Sequence, residues 1–299
     1  MSPSRYHEHV PVPVIEAIEE QRASNRSGMA YFGDFENHRR HLTALAIGVT
    51  PEGSSERLCV LGAGNTNDLD LEALLRHFAE VHLVDLDRAA LERAMERVPA
   101  ELRPRCVLHA PVDLGGLLEK LERWAAMRVT PDELIQHPGA VSRAVNQAIG
   151  GPFSVVLSAC LLSQLQFSAL QVLGDKHPLF EAVRLTTSIT HLRVLNRLIA
   201  AGGRGIFAAD LTSNQTYPLD RLPTEADLRA VYDEVLKTKN VIYVSHPELL
   251  KSFAREDPVL KNELVLSDPL DVWLWNNGPS RVFLVYALEL THPSGPATP

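Results

Sequence analysis

The sequence predicts a doubly wound α/β domain: a mostly parallel sheet with an antiparallel C-terminal hairpin strand, helices on both faces and an N-terminal helical extension. Three observations carry this reading. From residue 57 onward, apolar runs of strand length alternate with helical patterns, and such alternation makes parallel strands joined by right-handed crossovers. The run Leu58-Cys59-Val60-Leu61 enters Gly62-Ala63-Gly64 directly, as a buried strand does when it opens into a turn. The rhythm breaks at the C-terminus, where Asp271–Trp275 and Arg281–Leu290 flank the turn Asn276-Asn277-Gly278-Pro279-Ser280. A hairpin there requires an antiparallel strand.

At 299 residues the chain is long enough for one large domain with a substantial core. We divide it into an N-terminal helical extension over 1–54, the α/β domain over 55–290 with a helical insertion at 115–150, and a flexible, Pro-bearing tail over 291–299. The formal charge of −8 argues against a protein built to hold nucleic acid or anionic lipid, whose surfaces cluster Lys and Arg. Cys59, Cys106 and Cys160 each fall in an apolar run, and their odd number and spacing suit neither zinc nor a disulfide framework. No metal is expected. The N-terminus has no apolar signal-like stretch, and no apolar run reaches the ~18 residues that suggest a span. The expected setting is therefore the reduced cytoplasm, away from membranes.

In chain order, residues 1–13 read as a surface arm and Val14–Arg22 as a short helix. Tyr31, Phe32 and Phe35 crowd the next segment. They either pack the helix Leu42–Val49 onto the domain or form a lid over a site. After the glycine turn, a helix to Phe78 should take its cap from Asn65, Asn67 or Asp68, with its amides aimed back over the glycines. The second strand, Val81–Val84, ends at Asp85, which places a carboxylate beside the turn at the ligand-binding edge of the sheet. A helix over Ala89–Val98 and a third strand, Arg105–His109, follow. Asp113 then stands either at the same crevice or as the cap of a helix over Leu117–Met127. Thr130-Pro131-Asp132 starts a second helix of the insertion. Phe153–Cys160 is the fourth strand, and the segment from Leu161 runs to a break at Gly174–Pro178. A long helix over Leu179–Ala201 should stop at Gly202-Gly203, before a fifth strand over Arg204–Asp210 with another terminal carboxylate. Thr224 is the expected cap of the helix to Lys237, with Asp227 in the capping-box position.

A glycine turn followed by an acid on the next strand serves two cofactor classes, dinucleotides and S-adenosylmethionine (SAM). The dinucleotide fingerprint needs a third glycine where this chain has Asn67. Together with the hairpin ending, this makes the chain resemble the class I SAM-dependent methyltransferases over about residues 55–290. The resemblance implies seven strands with the last antiparallel. It implies SAM as cofactor, held by Gly62, Ala63, Gly64 and Asn65 as the loop, Asp85 and Leu86 at the ribose, Asp113 beside the adenine, and Ser158 and Ala159 bordering the methyl donor. Gly202-Gly203 resembles the turn before strand five. The chain departs from the family pattern at Val60, where an acid is common, and at Thr66, where a small residue is common. Asp68 or Asp70 could supply the missing carboxylate.

The implied activity is methyl transfer to an unidentified, small-molecule acceptor. Such a transfer can rest on alignment and exclusion of water, with a base optional. Candidate bases are His177, His191, His246 and Asp210, with His191 and Asp210 foremost. Strand four ends in Ser158-Ala159-Cys160-Leu161 and lacks the D/N-P-P-Y/F motif of amino-methylating branches. The insertion, Asp210–Pro218 and a lid made by Tyr31 and Phe32 could roof the pocket. Two rivals stand beside this expectation: a methyltransferase-like SAM-binding or scaffold protein without turnover, and an NAD(P)-dependent oxidoreductase. The sequence specifies neither the methylated atom nor an oligomeric state.

Overall fold

A computed structural model describes residues 11–50, 56–242 and 245–293. The elements, in chain order, are α1 (Val14–Gly28), α2 (Glu36–Gly48), β1 (Arg57–Leu61), α3 (Leu71–His77), β2 (Glu80–Val84), α4 (Arg88–Glu96), β3 (Cys106–His109), α5 (Leu121–Ala125), α6 (Pro131–Ile149) and β4 (Phe153–Ala159). They continue with α7 (Leu161–Leu173), α8 (Phe180–Leu198), β5 (Ile199–Ser213), α9 (Leu228–Thr238), α10 (Pro247–Glu256), α11 (Leu260–Glu263), β6 (Val265–Leu266), β7 (Asp271–Asn276) and β8 (Val282–Thr291). One sheet runs β3-β2-β1-β4-β5-β8, and both β6 and β7 pair with the far side of β8. The strands β1 to β5 are parallel and β8 is antiparallel to its neighbours, so the sheet has seven strand positions with the last strand reversed. Helices cover both faces.

Alternation along the strands sorts the core. On β4, Val156 faces a cluster under α6, α8 and α9 with Leu195, Phe207 and Leu288. Val155, Leu157 and Ala159 face the other cluster under α2 and α3, with Leu42, Leu74 and Trp273. A third cluster, around Trp124 and Phe180, joins α1 and the insertion to α7.

Several boundaries differ from expectation, each for a local reason. Asp70, not Asn65, Asn67 or Asp68, caps α3 by accepting from the Ala73 amide, so an irregular stretch separates the glycine turn from the helix. Asp227 is itself the cap of α9, accepting from Arg229 and Ala230, and Thr224 lies outside the helix. The helix expected over Leu117–Met127 shrinks to α5, because Asp113 folds the preceding chain into turns by accepting from Gly115, Gly116 and Leu118. Helix α8 stops at Leu198, ahead of the glycines. Gly202 and Gly203 lie within β5, which also runs past Asp210 to Ser213. Helices α1 and α2 are both longer than the apolar pattern suggested. Residues 1–10 and 294–299, parts of the expected arm and tail, lie outside the described residues, as do 51–55 at the boundary of the extension. Among the described residues no helix is long and apolar enough to cross a membrane.

A candidate donor and acceptor cleft

The carboxyl ends of β1, β2, β4 and β5 open into a cleft of about 800 Å³, walled by the end of α1, the start of α7 and the β7–β8 turn. Gly62 and Gly64 lie in its floor with left-handed backbone, φ 71° and 48°. A side chain at Gly62 would meet the Leu161 methyl at 2.8 Å, so glycine there lets α7 pack on the turn. At Gly64 a side chain would point towards Asn25, whose Oδ1 is 3.4 Å from the Cβ position. Thr66 and Cys160, both lining the cleft, also adopt positive φ, 53° and 49°. That conformation is costly for residues with a Cβ, most of all a β-branched one, and local strain of this kind concentrates at functional sites.

Asp85 reaches the turn as expected. Its carboxylate is 4 % exposed and accepts from the Gly64 amide at 2.8 Å and the Asp87 amide at 2.8 Å. Burial pushes its pKa up, opposed by these amides. Asp68 also lines the cleft, where burial, joined by the like charge of Asp85, pushes its carboxyl up to about 7. Asp70 is exposed and spent on capping α3, so of the two alternative acids only Asp68 reaches the cleft.

The glycine loop is tied down by residues distant in sequence. Asn65 donates from Nδ2 to the Asn25 carbonyl and accepts from Arg93 at 3.1 Å, while Arg97 donates to the Asn65 carbonyl. Asn67 donates to the Gly28 carbonyl at 2.9 Å, and its own carbonyl accepts from Arg39 at 2.6 Å. Asn25 in turn donates to Asp87 at 3.1 Å. The last turn of α1 thus covers the loop. Tyr31 follows it across to the β7–β8 turn, where its ring lies 3.5 Å from the Cβ position of Gly278. Phe35 meets Trp275 edge to face at 5.4 Å. Phe32 is outside the cleft, held between the guanidiniums of Arg39 (3.9 Å) and Arg97 (4.9 Å).

The candidate bases separate clearly. Asp210 lines the cleft at 6 % exposure, close to Ser163, whose hydroxyl donates to the Cys160 carbonyl at 3.2 Å, and has its pKa pushed up to about 6 by burial. Its Oδ1 has no partner among the described residues. His191 is fully buried behind the sheet, 2.8 Å from the Ser158 hydroxyl, and burial lowers its pKa to about 4. Neither His191 nor Ser158 lines the cleft, which corrects both expectations: they face α8 and the core, whereas Ala159 faces the cleft. His177 bonds the Ala125 carbonyl at 3.0 Å, and His246 caps α10 by accepting from Glu248 at 3.2 Å. Leu86 and Asp113 also stand off the cleft lining, and Asp113 is occupied by its own turn. The insertion contributes no wall. Sequence reasoning missed Asn25 and Gly28, which cover the loop, and Trp275 and Phe283 in the second half of the cleft.

No protein-family model matches the chain, and no curated protein sequence does. Solved structures match the chain only at low identity and low TM-score. A putative RNA methyltransferase from Pyrococcus horikoshii is 11 % identical over 84 % of this chain and 81 % of that one, with a TM-score of 0.42. An arsenic(III) SAM methyltransferase from Chlamydomonas reinhardtii is 15 % identical over 85 % and 74 %, with a TM-score of 0.39. A SAM-dependent methyltransferase from Anabaena variabilis is 11 % identical over 79 % and 77 %, with a TM-score of 0.38. Similarity at this level leaves the reaction to be argued from the cleft. The chain's own topology, seven strand positions with the last strand reversed and a glycine turn after the first, is the class I SAM-dependent methyltransferase fold.

Proposed function

We propose that the protein is a SAM-dependent methyltransferase acting on a small molecule, with donor and acceptor side by side in the cleft. The observation that carries this is the division of one cavity. Gly64, Asp85 and Asp68 gather at its β1–β2 end, and Asp210, Trp275 and Phe283 at its β5–β8 end. The residues fit the cofactor. Gly64 leaves the loop backbone open, and Asp85, whose two oxygens accept from the Gly64 and Asp87 amides, has further lone pairs for ribose hydroxyls. Asp68, a half-buried acid in the cleft, suits the ammonium of the methionine moiety and fills the role left vacant by Val60. When bound, SAM would supply a sulfonium methyl group, whose carbon is electrophilic without further activation.

The chain's contribution is placement and shielding. Glycine turn and Asp85 fix the donor end, Tyr31 and Phe35 cover the cleft against water, and Asp210 offers a carboxylate to the acceptor. A thermal-shift panel of SAM, S-adenosylhomocysteine, NAD and NADP, followed by calorimetry, tests the reading. SAM and S-adenosylhomocysteine should raise the melting temperature, since a ligand at 100 times its Kd stabilises by about 2.7 kcal/mol. A response to NAD or NADP alone would overturn the proposal in favour of an oxidoreductase. Binding of SAM without turnover on any acceptor would favour a scaffold.

A further inference from the structure

In the acceptor half of the cleft, Asp210 has no ion-pair partner among the described residues. Asp210 projects from β5 on the face shared with Ile206 and Ala208, at the level where β4 has already ended in Cys160. One oxygen is left without a partner among the described residues, in a side chain more than nine-tenths buried. The Trp275 indole Nε1 is likewise buried in the same wall without a partner among the described residues. Glu20, Asp68 and Asp85 are the other acids of the cleft, and Arg281 is its one cationic residue among those described. Glu20 is occupied by Gln171, and Arg281 lies against the Phe283 ring. A buried carboxylate without a protein cation is costly unless a ligand supplies one.

We propose that Asp210 recognises the methyl acceptor and that this acceptor is an amine, bound as its ammonium between the Asp210 carboxylate and the aromatic wall of Trp275 and Phe283. The proposal rests on the methyltransferase reading and adds the substrate class to it. Carboxylate and ring faces together favour a cation over an alcohol or an acid of the same shape. For transfer the ammonium gives one proton to Asp210. The freed nitrogen lone pair forms the N–C bond while the C–S bonding pair stays on sulfur, so the products are an N-methylammonium, a neutral thioether and a proton that leaves Asp210 for water.

The test is a binding experiment on the full chain at pH 7.5, with and without S-adenosylhomocysteine, using benzylamine and tyramine against their neutral alcohol counterparts and benzoate. Wild type should bind at least one amine about tenfold more tightly than its alcohol, with benzoate weakest. Asp210→Asn should cut that preference below about threefold while S-adenosylhomocysteine affinity stays within about threefold. Asp210→Glu, which keeps the charge, should retain part of the preference, and melting temperatures of both variants verify folding. Equal binding of amines and alcohols by wild type would overturn the proposal, as would a preference that survives Asp210→Asn. A loss of S-adenosylhomocysteine binding in Asp210→Asn would assign the carboxylate to the donor and overturn it too. An amine preference in a protein that binds no S-adenosylhomocysteine would leave the ammonium site standing and remove the methyl-donor reading.

Discussion

The two halves of the cleft treat their buried carboxylates, Asp85 and Asp210, in opposite ways. At the glycine turn, both Asp85 oxygens, the Asn65 side chain and the Asn67 amide nitrogen are bonded within the protein, to partners on α1, α4 and the turn itself, while Asn67 Oδ1 has no partner among the described residues. At the β5–β8 end, Asp210 Oδ1 and Trp275 Nε1 are buried and have no partner among the described residues. Burial alone therefore does not tell whether a carboxylate is bonded within the protein. Asp85 and Asp210 are almost equally buried, yet one shapes a loop while the other is held in reserve. The donor half is a preorganised cradle, and the acceptor half is an uncompensated one.

Gly64→Val should disrupt the cradle most. A β-branched residue would have to adopt φ 48° and would thrust a side chain towards Asn25 and the cleft, so SAM binding should be lost below detection by calorimetry. Asp85→Ala comes next. It removes an acceptor for ribose hydroxyls and frees the Gly64 amide, and SAM affinity should fall by roughly 1.5–3 kcal/mol, the scale of hydrogen bonds to charged groups. Its melting temperature should fall as well, because the same carboxylate holds the turn. Unchanged SAM affinity in a folded Asp85→Ala protein would move the donor elsewhere.

The uncompensated half should show the opposite behaviour. With its carboxyl raised from 3.8 to about 6, Asp210 favours the protonated form in the folded state. Its contribution to stability is therefore greatest below pH 3.8, falls as pH rises towards 6, and stays low above that. A shift of this size corresponds to about 3 kcal/mol, and Asp210→Asn should recover about 1–3 kcal/mol at pH 7 and nothing near pH 4. Denaturant unfolding at the two pH values measures it. A variant that is less stable at pH 7 would show the carboxylate to be structurally satisfied after all.

The strands were legible because an apolar run entering a turn is a local signal, and β1, β2 and β3 end where Leu61, Val84 and His109 suggested. Helix starts were less so. Asp70 and Asp227 win their capping positions because the chain ahead of each is held by other contacts, such as the Thr43 hydroxyl accepting from the Asp70 amide. The cover over the loop was illegible for a deeper reason: the bonds from Asn65 to Asn25 and from Asn67 to Gly28 span about forty residues and leave no periodic trace. Ser158 was different. Alternation along β4 puts it on the face opposite Ala159, a period written in the residues themselves, and with Ser158 goes the His191 that bonds it.

The cover should respond more weakly than either half, and it bears on how far the two depend on each other. Tyr31 bridges from the end of α1 to Gly278 on the β7–β8 turn, yet its side chain remains more than a third exposed. A core aromatic truncated to alanine costs about 3–5 kcal/mol, but a half-exposed one has less burial to lose. Tyr31→Ala should therefore lower stability by about 1 kcal/mol or less. If Tyr31 acts as a cover, SAM affinity should drop severalfold at the same time, since the donor cradle is closed by the same segment through Asn25 and Gly28. Melting temperature and SAM calorimetry on the one variant separate the roles. A stability loss of several kcal/mol with normal SAM affinity would make Tyr31 ordinary packing, and the two halves of the cleft would then be independent.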